Sequence, residues 1–105
     1  MSRIAQLEEF LREDPDDDFN LYALALEYLK SDQLKAHDLF SNLLRKSPGY
    51  LPTYYPFAHL LIELQQATKA EEIFEQGIEL ARRSGDSKTL KELTNAYNDW
   101  LFERS

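Results

Sequence analysis

Ala36 is followed four residues on by Phe40, and the same small-then-aromatic pair returns as Ala70 and Phe74, each member offset by 34 positions. Pro15 to Pro48 and Tyr28 to Leu61 repeat at 33. A two-helix unit recurring at this period cannot bury its apolar faces alone and must stack on its neighbours, which confines the chain to a helical repeat architecture. The first copy is one residue shorter than the second, and the difference lies in its inter-helix turn, between Tyr28 and Ala36.

Hydrophobic spacing supplies the helices. Ile4, Leu7, Phe10 and Leu11 mark one face of a helix over 2–13, ended by Asp14-Pro15 because a proline turns its predecessor away from helical angles. Asp16-Asp17-Asp18 then reads as a helix start, where carboxylates accept unpaired amides and meet the positive end of the dipole. A Ca²⁺ loop would need alternating ligands, a central glycine and a distal glutamate, which the run lacks.

The helix over 17–30 has almost no polar side, with Leu21, Leu24, Ala25 and Tyr28 on one stripe and Phe19, Tyr22, Leu26 and Leu29 on another, so it is expected to be covered on both. The next helix, ending near Lys46, shows one apolar face of Leu39, Phe40, Leu43 and Leu44. After Ser47-Pro48-Gly49 a third helical segment over 53–66 is again two-sided. Tyr54, Phe57, Ala58 and Leu61 lie on one side, with Tyr55, Ile62 and the lone His59 on the other. A helix over 68–83 follows, with a stripe of Ala70, Ile73, Phe74, Gly77, Ile78 and Ala81, stopped by Ser84-Gly85. The last helix carries Leu90, Leu93, Tyr97, Trp100 and Leu101, with Asp86, Ser87 or Thr89 as its cap and Thr89/Glu92 at capping-box spacing. Phe102 falls off that stripe.

Charge and composition narrow the function. A net charge of −7 repels a phosphate backbone, which is bound by clustered Lys and Arg, so neither nucleic acid nor an anionic membrane is an expected partner. An acidic surface would also suit a salty habitat. The chain has no Cys, which removes disulfides, thiolate metal sites and Cys nucleophiles. With no apolar run long enough for a membrane span, the expectation is a soluble, cytoplasmic protein. His37 and His59 are isolated, with no evident partner. No phosphate loop, nucleophile elbow or zinc spacing is present, so the chain reads as a non-enzyme without cofactor or metal.

The register of these residues resembles that of the tetratricopeptide repeat family. Leu21, Leu24-Ala25, Tyr28, Ala36, Phe40 and Pro48 match the family pattern in the first unit. Tyr54, Phe57-Ala58, Leu61, Ala70 and Phe74 match it in the second, which departs at its end where Arg82 stands for the closing proline. The resemblance implies an all-α, right-handed helical solenoid of antiparallel pairs with about six helices. It implies a single domain over 1–105, divided into an N-terminal helix (2–14), repeats over 16–48 and 49–83, and a capping helix (87–103). It also implies a protein–protein interaction scaffold whose first helices line a concave groove. Carried over by register, the peptide- or protein-binding residues are Phe19, Tyr22, Leu26 and Lys30, then Tyr55, His59, Ile62 and Glu63. The Lys, Asn and Arg that clamp a terminal carboxylate in chaperone-binding members are replaced by Tyr22, Leu26 and Pro56, so tail-carboxylate recognition is not expected. Two alternatives stand beside partner binding: a homodimer in which a second copy covers the groove, and a second stripe covered by the chain's own caps.

Overall fold

The computed structural model describes residues 2–105. Among them are six α-helices and no strand: α1 (Arg3–Glu13), α2 (Asp18–Tyr28), α3 (Gln33–Lys46), α4 (Tyr54–Glu63), α5 (Ala67–Ser84) and α6 (Ser87–Arg104), with a short 3-10 turn at Leu51–Thr53 before α4. The all-α expectation is met. Boundaries shift where local chemistry intervenes: Pro52 and Thr53 belong to the 3-10 turn, α2 stops at Tyr28, and α4 stops three residues short of Gln66. The chain forms two compact units, the first ending at Thr53 and the second running Tyr54–Ser105.

In the first unit α2 packs against both α1 and α3. Each helix is started by a side chain that accepts an otherwise unpaired amide: Ser2 Oγ from Ala5 at 3.1 Å, Asp17 Oδ1 from Asn20 at 3.0 Å and Asp32 Oδ1 from Lys35 at 3.1 Å. The acidic run is thus a helix start, as its composition indicates. α2 and α3 are antiparallel, because the end of α3 reaches the beginning of α2. Lys46 Nζ lies 2.6 Å from Asp18 Oδ1 and donates to the Asp16 carbonyl at 2.7 Å, while Ser47 Oγ donates to Asp18 at 2.8 Å. The Lys46 hydrogen bond, helped by Ser47, holds the Asp18 carboxyl below its ordinary value.

Leu7, Leu24, Ala25, Ala36, Phe40 and Leu43 are buried. The two alanines admit a close helix approach and Phe40 fills the space beside them. Tyr28 is only half-buried and donates its hydroxyl to Glu8 on α1 at 3.4 Å. The expected burial of α2 on two sides is not observed: of its second stripe, Tyr22, Leu26 and Leu29 are half-buried and Phe19 is exposed. α1 likewise buries only Leu7 and leaves Phe10 in solvent.

In the second unit α5 packs between α4 and α6. Tyr54, Phe57, Ala58, Leu60, Leu61, Ala70, Ile73, Phe74, Ala81, Leu93 and Trp100 are buried. Gly77, near the middle of α5, sits where a Cβ would come within 2.7 Å of Tyr54 Cβ and 3.1 Å of Leu93 Cδ1; only a residue without a side chain lets α4 and α6 both close on α5. α5 and α6 are antiparallel, since Arg104 at the end of α6 pairs with Glu71 near the start of α5 at 2.6 Å. The same guanidinium lies over the Trp100 ring at 4.4 Å. Asp86 caps α6 through its carboxylate, accepting from Thr89 at 3.0 Å. The Thr89/Glu92 box is not the cap used.

The one-residue difference between the copies has a backbone cause. In the second copy the turn that closes α4 holds Gln65 at φ 62, with Gln66 N–H reaching back to Leu61 at 2.9 Å and Gln65 N–H to Ile62 at 3.0 Å. α5 ends the same way on Gly85 at φ 75, with Asp86 N–H to Ala81 at 3.0 Å. This is the Schellman closure, which needs a left-handed residue. The shorter turn after α2 dispenses with that residue, and Asp32 N–H bonds directly to Tyr28 at 2.7 Å. A side chain is unfavourable at a left-handed position, so Gln65→Gly should raise stability by about 0.5–1 kcal/mol and Gly85→Ala lower it by a similar amount. Urea denaturation midpoints moving in the opposite directions would refute this account of the turns.

Candidate binding surface

The residues singled out on α2 occupy one exposed side of that helix. Phe19, in the first turn, is 60% exposed. Tyr22, one turn on, is half-buried and meets Tyr50 edge-on, with centroids 5.9 Å apart at 65°. Burial pushes the Tyr22 phenol up, and it raises the Tyr50 phenol as well, with Tyr22, Asp18 and Asp17 adding to the latter. Leu26 is half-buried. Lys30 lies beyond the last turn, exposed, 3.4 Å from Glu27; an exposed pair at this spacing contributes little to stability.

α4 offers a second such side. Tyr55 is 43% exposed and its ring lies 4.5 Å from that of His59, one turn away. His59 in turn meets Phe74 of α5 edge-on at 5.9 Å. Its Nε2 is buried without a hydrogen-bond partner among the described residues. Ile62 is half-buried and Glu63 exposed. Burial holds the His59 pKa below its ordinary 6.5, with Glu63 acting in the opposite direction. A depressed folded value means the folded state binds fewer protons than the unfolded chain. Its stability contribution is therefore complete above pH 6.5 and declines as pH falls from there through the folded pKa. The melting temperature should be lower at pH 5 than at pH 7.5, above the range in which the lowered carboxylates of Asp18 and Asp86 titrate. A His59→Gln variant that shows the same drop would show that another group causes it.

Two features carry no signal in the sequence. Tyr50 completes the aromatic edge beside Tyr22, although Gly49-Tyr50-Leu51 gives no periodic signal from which to place it. His37 has Nδ1 3.4 Å from Asp38 Oδ1, an adjacent-residue contact that no helical spacing rule anticipates. Phe102 on α6 stands in solvent at 82% exposure, as its place off the stripe foretold. Among the described residues no three His, Cys, Asp or Glu gather as a metal set, and no helix is long and apolar enough to cross a membrane.

The tetratricopeptide repeat family model matches residues 32–94. Among solved structures, the solution NMR structure of a tetratricopeptide repeat domain protein from Salinibacter ruber is 43% identical. It covers 79% of this chain and 85% of that one, with a TM-score of 0.74. A crystal structure of a tetratricopeptide repeat domain protein from the same organism is 42% identical over 76% of this chain and 90% of that one, with a TM-score of 0.72. No curated protein matches the chain.

Proposed function

Since the chain belongs to the tetratricopeptide repeat family, whose fold is in general a protein-interaction scaffold, we propose that it is a non-catalytic module that binds a peptide or a segment of another protein. The contact residues are Phe19, Tyr22 and Leu26 on α2 with Lys30 just after it, and Tyr55, His59, Ile62 and Glu63 on α4. The observation that carries this reading is the asymmetry of those two helices. Each buries residues on one side, Leu24 and Ala25 in α2, where Leu21 and Tyr28 are half-buried, and Phe57, Ala58 and Leu61 in α4, yet keeps a large aromatic residue in water on the other, Phe19 and Tyr55. Aromatic side chains left exposed beside half-buried apolar neighbours mark contact surfaces, and tyrosine gives large area with little entropy to lose.

Selection of a binding peptide from a displayed library, followed by calorimetry, tests this. Phe19→Ala and Tyr55→Ala should each weaken the selected peptide by about tenfold, a change of roughly 1.4 kcal/mol, with melting temperatures within a few degrees of the parent. Variants that unfold, or that bind unchanged, would refute the assignment.

Phe102 favours a second reading, in which two copies associate through α6. Light scattering over a concentration series separates the two, because that reading requires a dimer that Phe102→Ser returns to a monomer.

A further inference from the structure

The partner's chemistry is constrained by what surrounds Phe19. Resting on the reading of α2 as a contact face, we infer that the segment received there is basic, and that it lays a lysine or arginine side chain against Phe19, Tyr22 and Tyr50 beside the carboxylates of the turn entering α2.

Phe19 and Tyr22 are three residues apart on one helix and so share a side, and Tyr50 stands edge-on to Tyr22 at 5.9 Å. All three rings keep part of their surface in solvent. Aspartates occupy positions 14, 16, 17 and 18, immediately before Phe19, and the Asp17 and Asp18 carboxylates both add to the rise of the Tyr50 phenol. Among the described residues only Asp18 of these four has a cation, Lys46 at 2.6 Å. Lys46 spends its remaining reach on the Asp16 carbonyl. Asp17 accepts the Asn20 amide, which leaves its charge uncancelled. Among the described residues no cation lies within ion-pair distance of Asp14, Asp16 or Asp17.

A segment lying over Phe19 runs beside the turn that carries these aspartates, where removing water from an unpaired charge is costly. A neutral apolar segment offers nothing in return. A cationic side chain offsets the loss twice, by pairing with the carboxylates and by lying over the negative faces of the rings. A second copy of this chain is a poor occupant on the same ground, since each copy carries a net charge of −7 and the two repel.

Fluorescence anisotropy with three short labelled peptides tests the inference: alternating Lys and Leu, Ser and Leu, and Glu and Leu, each titrated with the full chain at low and near-physiological salt. The Lys/Leu peptide should bind on the order of tenfold tighter than the Ser/Leu peptide at low salt, with the advantage shrinking as salt rises. The double variant Asp14→Asn, Asp16→Asn leaves the Asp17 cap and the Asp18–Lys46 tie in place. It should reduce that advantage by about threefold or more and flatten the salt dependence, and Phe19→Ala should weaken the Lys/Leu peptide by a similar factor.

Equal binding of the Lys/Leu and Ser/Leu peptides, both weakened by Phe19→Ala, would overturn the basic partner and keep the contact face. Lys/Leu binding indifferent to all these changes would place the attraction elsewhere and overturn the inference. A dimer in light scattering that Phe19→Ala dissolves would make a second copy the occupant. No response of any peptide to Phe19→Ala or Tyr22→Ala would remove the contact face itself.

Discussion

Phe74→Ala should destabilise the protein by about 3–5 kcal/mol. The Phe74 ring is fully buried, lies 5.1 Å from Tyr97 in a near-parallel stack at 22°, 5.9 Å from Trp100, and 5.9 Å edge-on from His59. It therefore joins α4, α5 and α6. Truncation removes both the transfer energy of the ring and its contacts, and the residues lining the void cannot collapse without disturbing three helices. Domains of this size have roughly 5–15 kcal/mol of stability in all, so the loss is a large fraction of it. Trp100, the only tryptophan, reports on the site directly. Urea curves followed by its fluorescence should shift strongly to lower denaturant, and curves superimposing on the parent would show that the ring is not part of the core.

Gly77→Ala should destabilise as well, against the sign that helix propensity alone predicts. In a helix interior alanine is favoured over glycine by about 1 kcal/mol. Here the added methyl would stand 2.7 Å from Tyr54 Cβ and 3.0 Å from Tyr54 Cγ, with Leu93 Cδ1 at 3.1 Å. The first contact is the root of a buried side chain, which cannot swing aside. Overpacking of this kind costs typically 1–3 kcal/mol, so it cancels the propensity gain and is expected to exceed it. A calorimetric melt in which the alanine variant is the more stable would mean that α4 yields to the added methyl and that close packing at Gly77 is not what selects glycine there.

The fold was legible because its determinants are local and repeated. Ala36, Phe40, Ala70 and Phe74 hold one register, and Gly77 falls on the buried stripe of α5, so pattern alone identified the close-packed positions. The turns were less legible. Gln65 takes a left-handed conformation that its side chain gives no reason to expect, and Thr89 with Glu92 has capping spacing although Asp86 provides the cap. Both outcomes depend on where the backbone must go next, which no single window of sequence contains.

The candidate surface was legible in part. An excess of apolar residues on α2 and α4 could be read from spacing, but spacing does not separate a side that is buried from one that is merely greasy. Exposure of Phe19 and Tyr55, half-burial of Tyr22, Leu26 and Ile62, and the meeting of Tyr22 with Tyr50 emerged only from packing.

The central claim is that the outward aromatics of α2 and α4 serve contact with a partner and not the integrity of the fold. Its most direct measurement sets Phe19→Ala beside Phe74→Ala, recording for each the urea midpoint and the affinity for the selected peptide. Phe19→Ala should keep the parent's midpoint and lose affinity, and Phe74→Ala should lose its midpoint. A midpoint for Phe19→Ala that falls as far as that of Phe74→Ala, or an affinity that does not change, would contradict the claim.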